Sequence, residues 1–155
     1  MSSRRGEIEL SASEQGELIE SERIVVVSTL GPRGWPHSMP LWYVPRDGEI
    51  WIYTYAKSQK VRNLERDTRA TLQIEAGESY DQLRGVMFEA TAELHHDTDA
   101  VAALGAEIMA RYTDGVNAGS GFDEAILAQA RKRVGLQFVV QRVASWDHRK
   151  LAGTY

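Results

Sequence analysis

Trp51-Ile52-Tyr53-Thr54-Tyr55-Ala56-Lys57-Ser58-Gln59-Lys60-Val61-Arg62-Asn63-Leu64 is the stretch on which the fold turns. Through Tyr55 it is aromatic and β-branched, the composition of a strand. The strand then stops, Ser58 stands where a helix cap belongs, and Lys60 and Arg62 fall in the first turns of that helix. A helix start offers unpaired backbone N–H groups and the positive end of a dipole, which makes it a natural anion site. A lysine in that turn adds a mobile cation suited to a phosphate. A strand that delivers aromatic side chains beside such a turn can hold a ring and its phosphate together, so this is the candidate cofactor site. A plainer reading stands beside it. Ser58 is then an ordinary N-cap worth roughly 1 kcal/mol, and the cations from Lys57 to Arg69 are a solvated helix face balanced by Glu65 and Asp67. The local pattern leaves both open, and under either reading Lys60 is expected to be exposed.

Composition bounds the rest. A chain of 155 residues fits one domain with a real core. Hydrophobic content of 43% and charged content of 26% are ordinary for a globular protein. The absence of cysteine excludes disulfides, thiolate chemistry and cysteine-ligated metal. A formal net charge of -4 argues against a general nucleic-acid binder. Met1-Ser2-Ser3-Arg4-Arg5-Gly6-Glu7 lacks the apolar run of a secretory signal, and no segment is long and apolar enough to span a bilayer. The expectation is a cytoplasmic protein with neither a membrane nor a nucleic-acid partner.

Working outward, residues 1–155 read as a single domain without a linker or repeat. Residues 1–21 form an N-terminal helical segment, in which Ser11-Ala12-Ser13-Glu14 resembles a capping box. Strands are expected over Arg23–Leu30, over Trp35–Val44 with Pro36 and Pro40 marking a bend or an edge, and over Glu49–Tyr55. Turns at Gly31-Pro32-Arg33-Gly34 and Pro45-Arg46-Asp47-Gly48 join them as hairpins. Further strands follow over Ala70–Ala76, Val86–Leu94 and Leu136–Val143. Residues 97–133 form a helical insertion before the last strand, with apolar stripes Val101, Leu104, Ile108 and Phe122, Ile126, Ala130. Trp146 to Tyr155 reads as a polar, aromatic tail. Six short strands joined mainly by hairpins imply a mainly-β fold, a six-stranded antiparallel barrel with appended helices. Barrel closure would remove sheet edges.

With these elements in place, the strand, glycine turn, strand with Met39-Pro40-Leu41-Trp42-Tyr43, hairpin, strand and Lys60-Val61-Arg62-Asn63-Leu64-Glu65-Arg66-Asp67 resemble the pyridoxamine 5′-phosphate oxidase-like split-barrel family. Within it, Lys-x-Arg-Asn-Leu-x-Arg-Asp-x-Arg resembles the branch that uses a deazaflavin, coenzyme F420. The resemblance runs from about Arg23 to Leu94, with a matching last strand and Trp146-Asp147-His148-Arg149-Lys150. It implies the FMN-binding split-barrel type of fold and a homodimer with cofactor sites at the interface. It further implies a phosphate held against Lys57-Ser58-Gln59-Lys60, with Lys60 as the phosphate lysine, and a ring lying over Ser38, Met39, Pro40 and Trp42 and over Tyr53 and Thr54. Relatives often carry a second cation where this chain has Ser58. A deazaflavin's singly charged phosphodiester asks for fewer cations than a terminal phosphate dianion, and Arg62, Arg66 or Lys57 could meet its carboxylate-bearing tail.

No protein group reads as a conventional catalyst, and hydride chemistry requires none, because the reactive atom belongs to the cofactor. Trp42, Tyr43, Tyr53 and Tyr55 either wall a pocket for a flat substrate or pack in the core or an interface. His95-His96-Asp97 invites a metal reading. Adjacent histidines in extended chain point to opposite faces, and Asp97 or Thr98 makes a good helix cap, so no metal is expected. The resemblance therefore implies a deazaflavin-dependent oxidoreductase of a small or flat organic acceptor. The alternatives are an FMN-dependent oxidase or reductase on the same fold, a non-catalytic cofactor carrier and, last, a haem-handling protein.

Overall fold

The computed structural model describes residues 4–114 and 120–151, without the side chains of Ser120 and Phe122. After a short helical turn α1 (Arg4–Glu7) comes α2 (Ala12–Ser21). Ser11 Oγ accepts from the Glu14 N–H and the Glu14 carboxylate accepts from the Ser11 N–H, the reciprocal pair of a capping box. The strands are β1 (Val25–Leu30), β2 (Pro36–Leu41), β3 (Val44–Arg46), β4 (Glu49–Tyr55), β5 (Arg69–Ala76), β6 (Arg84–His95) and β7 (Arg133–Asp147). Helix α3 (Gln59–Arg66) joins β4 to β5, and α4 (Thr98–Tyr112) and α5 (Ser120–Ala130) lie between β6 and β7. Short 3-10 turns cover Tyr80–Gln82 and His148–Leu151.

All seven strands form one antiparallel sheet in the order β2-β1-β5-β6-β7-β4-β3. The expected six strands become seven because the run from Trp35 to Val44 is broken at Trp42-Tyr43. There the chain leaves the β2 edge and restarts at Val44 as β3 on the opposite edge. Only two residues separate these edges, a reach of about 11 Å at most. The sheet must therefore curl until its two edges nearly meet. Tyr43 makes the crossing by turning into the core. It is fully buried, and its hydroxyl donates to the carbonyl of Ile19 at 2.6 Å. Since β2 and β3 do not pair, two edges remain, and Pro36 and Pro40 both lie on one of them. The β3–β4 hairpin turns at Asp47-Gly48, both at positive φ (51° and 79°), as a type I′ turn requires.

The concave interior is filled from the five inner strands, by Val25 and Val27 of β1, Ile50 and Ile52 of β4, Leu72 and Ile74 of β5, Val86 and Phe88 of β6, and Leu136 and Phe138 of β7. Val61 and Leu64 of α3 are buried in the same cluster, so α3 packs into the core between the end of β4 and β1. A smaller cluster forms outside the sheet, where Leu104 and Ile108 of α4 cover Val44, Trp51 and Tyr53. Strand β7 is longer than expected. Trp146 and Asp147 belong to it, paired with Gly85 and Arg84, and the Asp147 N–H donates to Ile8 at 2.7 Å. Of the expected insertion stripes, Ile126 is half-buried and Ala130 buried; the side chain of Phe122 lies outside the described residues.

Candidate functional site

Strand β4 sorts its side chains by alternation. Ile50, Ile52 and Thr54 face the core, while Trp51, Tyr53 and Tyr55 face outward. Helix α4 covers part of that outer row. The Tyr53 ring lies so close to Gly105 that a Cβ there would stand 3.0 Å from it. The chain then turns, with the Ser58 N–H donating to the Tyr55 carbonyl at 3.1 Å, and α3 begins. Ser58 occupies the N-cap position with extended backbone, but its hydroxyl makes no capping bond. Its Oγ is buried and without a hydrogen-bond partner. The expected side-chain cap is thus replaced by an orphaned hydroxyl at the mouth of the helix.

Lys60 corrects a second expectation. It is buried, with 8% of its surface exposed, because the first turn of α3 lays it over Thr54 at the end of β4. Its Nζ donates to Thr54 Oγ1 at 3.0 Å. Burial lowers its pKa from the ordinary lysine value, and the charge of Arg133 lowers it further. Arg133, at the start of β7, pairs with Tyr55 in register, and its guanidinium stacks over Tyr53 and Tyr55, 4.5 and 4.0 Å from their ring centroids. Burial raises the Tyr53 pKa against the opposing charge of Arg133. Among the described residues no ion pair reaches Lys57, Lys60, Arg62 or Arg133. A buried cation with no carboxylate beside it is uncompensated, and an anion delivered to it would supply what the protein does not.

The remaining polar residues of α3 fasten it to β1. Asn63, fully buried, donates from Nδ2 to Thr29 Oγ1 at 3.0 Å and accepts from Gln59 Nε2 at 2.8 Å. Arg66 donates to the Leu30 carbonyl at 3.1 Å and to Asn63 Oδ1 at 3.1 Å. Gln59 and Arg66 therefore hold the helix, while Lys57 and Arg62 remain exposed beside its start. At Thr29 and Leu30, where α3 is tied down, a groove of about 660 Å³ opens. It runs over the outer face of the sheet past Ser28, Thr71 and Glu89, which are neighbours in register on β1, β5 and β6.

The sequence-predicted residues fall into three places. Thr54, Lys57, Ser58, Gln59, Lys60 and Arg62 gather at the β4–α3 junction. Ser38, Met39 and Pro40 lie exposed on edge strand β2, with Ser38 Oγ and Ser28 Oγ sharing a hydrogen bond of 2.7 Å. Trp42 and Tyr53 lie against α4, and Trp42 stacks on Tyr112 with centroids 4.4 Å apart. Of the four candidate pocket aromatics, Tyr43 is a core residue whose hydroxyl pKa is pushed up by burial, and only Tyr55 and Trp42 are exposed. His95 packs at a tilt against the Trp51 ring and hydrogen-bonds Gln137 at 2.8 Å, while Asp97 caps α4 by accepting from the Ala100 N–H at 2.8 Å. The sequence does not show Arg133 as a neighbour of Tyr53 and Tyr55. The one available signal was the basic run Arg131-Lys132-Arg133 before a strand, and its partner strand was not.

A family model described as pyridoxamine 5′-phosphate oxidase matches residues 12–148. The chain belongs to the pyridoxamine 5′-phosphate oxidase family. A conserved hypothetical protein of Mycobacterium tuberculosis is 40% identical, with 97% of this chain and 93% of that one covered and a TM-score of 0.87. Two more distant members of the fold are an F420 reductase and the haem storage protein of Vibrio cholerae. The first is 18% identical, with TM-score 0.66 over 83% of this chain and 94% of that one. The second is 15% identical, with TM-score 0.66 over 86% and 94%. At such identities they share the fold alone with this pyridoxamine 5′-phosphate oxidase family member. No curated protein matches the chain. No helix among the described residues is long and apolar enough to cross a membrane.

Proposed function

We propose that the protein is a deazaflavin (coenzyme F420)-dependent oxidoreductase acting on a small or flat organic acceptor. One observation carries the reading: Lys60 is a buried cation with no acidic partner among the described residues, set at a helix start beside the orphaned Ser58 hydroxyl. The donors fit a phosphate group, namely an ammonium, a hydroxyl and the free N–H groups of α3. Lys57 and Arg62, exposed and without ion pairs among the described residues, extend the cationic surface beyond the buried site and suit an anion followed by carboxylates. A bound deazaflavin supplies hydride chemistry. The chain's residues bind its anionic groups through Lys60 and Ser58, and position a ring beside Tyr55 and the edge strand at Ser38–Pro40. The shape of the groove and the curled sheet would limit water at the reacting face.

FMN is the second reading, and Arg133 is the observation that favours it. It stands at the same end of the sheet as Lys60, on the outer face beside Tyr53 and Tyr55, and adds a cation of the kind a terminal phosphate dianion needs. The proposal includes a symmetric homodimer. Exposed Leu30, Met39 and Val143 support an interface on the sheet, and sedimentation at the mass of one chain at micromolar concentration would contradict it. The function is tested by turnover. Chemically reduced deazaflavin is mixed with the protein and menadione, and the return of the oxidised chromophore is followed. Protein-dependent oxidation that saturates in menadione is expected. Binding of the deazaflavin with no protein-dependent oxidation of any flat acceptor would make the protein a carrier instead.

A further inference from the structure

We propose that the groove over the outer face of β1, β5 and β6 is the acceptor's binding site, and that it takes a neutral, flat molecule whose carbonyl oxygen accepts a hydrogen bond from the Thr71 hydroxyl. The inference rests on the reading of the protein as an oxidoreductase of a flat acceptor. It adds where that acceptor lies, what charge it carries and which residue reads it.

Strand alternation builds the floor. Ala70, Leu72 and Ile74 of β5 are buried, so Thr71 faces outward. Register carries that position across five strands, from Ser38 of β2 through Ser28, Thr71 and Glu89 to Arg142 of β7. Leu30 and Pro36, paired in register, add an apolar wall beside the row. Glu89 pairs with Arg142 and Ala90 with Val140, which leaves Gln141 as the extra residue of a bulge at the groove. Bulges re-aim side chains and recur next to active sites. The space of about 660 Å³ is that of a small-molecule pocket.

Charge and hydrogen bonding define the ligand. The two charged side chains that line the groove each have a counter-ion. Arg69 grips both oxygens of Asp67, from Nε at 3.0 Å and from Nη2 at 2.6 Å, and Glu89 pairs with Arg142 at 3.3 Å. The start of α3 is the opposite case, since Lys57, Lys60 and Arg62 have no ion pair among the described residues. Uncompensated cations suit an anionic cofactor. The balanced groove suits an uncharged partner, because a charge entering it would lose water without gaining a counter-ion. The hydroxyls then single out one residue. Ser28 Oγ shares a hydrogen bond with Ser38 Oγ, Thr29 Oγ1 accepts from Asn63 at 3.0 Å, and Thr91 Oγ1 accepts from Gln141 at 3.3 Å. The Thr71 hydroxyl, midway along the row, has no partner among the described residues, so its O–H is free to donate to a carbonyl. An idle sheet surface would explain a threonine there. It would not explain a groove in which every charge and every other hydroxyl is satisfied and the central one is not.

The probes are 2-naphthamide and 2-naphthoate, flat molecules of one shape that differ by a charge. Each is dialysed against the apo protein, so the readout is binding and involves no turnover. Saturable naphthamide binding is expected, about tenfold tighter than naphthoate. Thr71→Val keeps the shape, loses the O–H, and should weaken naphthamide about two- to tenfold. Thr71→Trp fills the floor and should abolish naphthamide binding, with deazaflavin affinity within about twofold of wild type, as for separate sites. No saturable naphthamide binding by the wild type, naphthoate binding as tight as naphthamide, or naphthamide affinity that Thr71→Val leaves unchanged overturns the proposal. Loss of deazaflavin together with naphthamide in Thr71→Trp also overturns it, and makes the groove the cofactor's own. So does a wild type that binds neither probe while Thr71→Trp sediments as a monomer, which makes the groove a contact with a second copy. If Thr71→Trp does not fold, the isosteric Thr71→Val decides alone. Deazaflavin and FMN titrations judge the cofactor reading separately. If neither binds while naphthamide binding still depends on Thr71, the cofactor reading falls and the groove stands as a binding site.

Discussion

Replacing Lys60 with methionine separates what the residue does for the fold from what it does for a ligand. Methionine keeps most of the aliphatic stem in its buried place and removes the ammonium. Two terms then compete in the apo protein. The hydrogen bond from Nζ to Thr54 Oγ1, 3.0 Å long, is lost, at a net cost of about 0.5–1.5 kcal/mol. Against it, a cation with 8% of its surface exposed and no acidic partner among the described residues no longer has to be kept out of water. Effective penalties for burying an ion run to several kcal/mol, and apolar replacements of buried charges are often neutral or stabilising by about 1–4 kcal/mol. The second term wins, so apo Lys60→Met should be at least as stable as wild type at neutral pH, by up to roughly 3 kcal/mol, with each kcal/mol raising the melting midpoint by about 2–4 °C.

The pH dependence fixes the cause. Lys60 has a folded pKa below its ordinary 10.5, so between the two values the unfolded chain binds the extra proton. Wild-type stability therefore rises with pH through that window. The penalty is complete below the folded pKa and gone above 10.5, and the advantage of the methionine variant should close over the same range. Cofactor affinity should move the other way, falling roughly 10- to 150-fold with the loss of one charge-assisted contact of about 1.5–3 kcal/mol, and less at high salt. Urea denaturation at several pH values, with cofactor titrations at two salt concentrations, reads all of this. A variant destabilised by more than about 1 kcal/mol at pH 7 with unchanged cofactor affinity would make Lys60 a structural residue and refute the reasoning.

Three further outcomes are expected. Ser58→Arg should raise FMN affinity relative to deazaflavin, by adding a cation at the mouth of α3; an unchanged ratio of the two dissociation constants would mean that position 58 does not read the phosphate. Gly85→Ala should cost about 1–3 kcal/mol in urea unfolding, because its Cβ would stand 2.3 Å from the Trp146 ring; a cost near zero would show that the ring moves aside freely. Asp147 is buried and held by both Arg149 guanidinium contacts, at 2.9 and 2.7 Å, which keep its pKa below the ordinary 3.8. Its stabilisation is present above that value and lost as pH falls through the folded pKa, so Asp147→Asn should destabilise at pH 7 and converge with wild type in acid, by thermal melts across that range.

What could be read from the sequence was local. Ser11 and Glu14 carry the capping box in their spacing, Asp97 announces the start of α4, and the alternation from Ile50 to Thr54 identifies a half-buried strand. The prolines of β2 pointed to an edge because a missing N–H is a property of the residue itself. What failed depended on partners distant in sequence. Trp42 and Tyr43 look like a continuing strand, and only the curl of the sheet makes them the step between its two edges. Lys60 looks exposed in its helix, and only the placement of Thr54 beneath it buries the ammonium. Trp146 and Asp147 look like tail until β6 and the segment at Ile8 pair with them. Arg133 reaches the rings of Tyr53 and Tyr55 through the β4–β7 register, which no spacing in the chain encodes.

The central claim is that the β4–α3 junction holds the anionic part of a redox cofactor, a deazaflavin before FMN. Equilibrium titration of the apo protein with deazaflavin, FMN and haem, each repeated on Lys60→Met, tests it most directly. The expected result is saturable deazaflavin binding, tighter than FMN and weakened roughly 10- to 150-fold by the substitution, with haem indifferent to it. Haem binding alone, or deazaflavin and FMN binding that Lys60→Met leaves unchanged, would contradict the account.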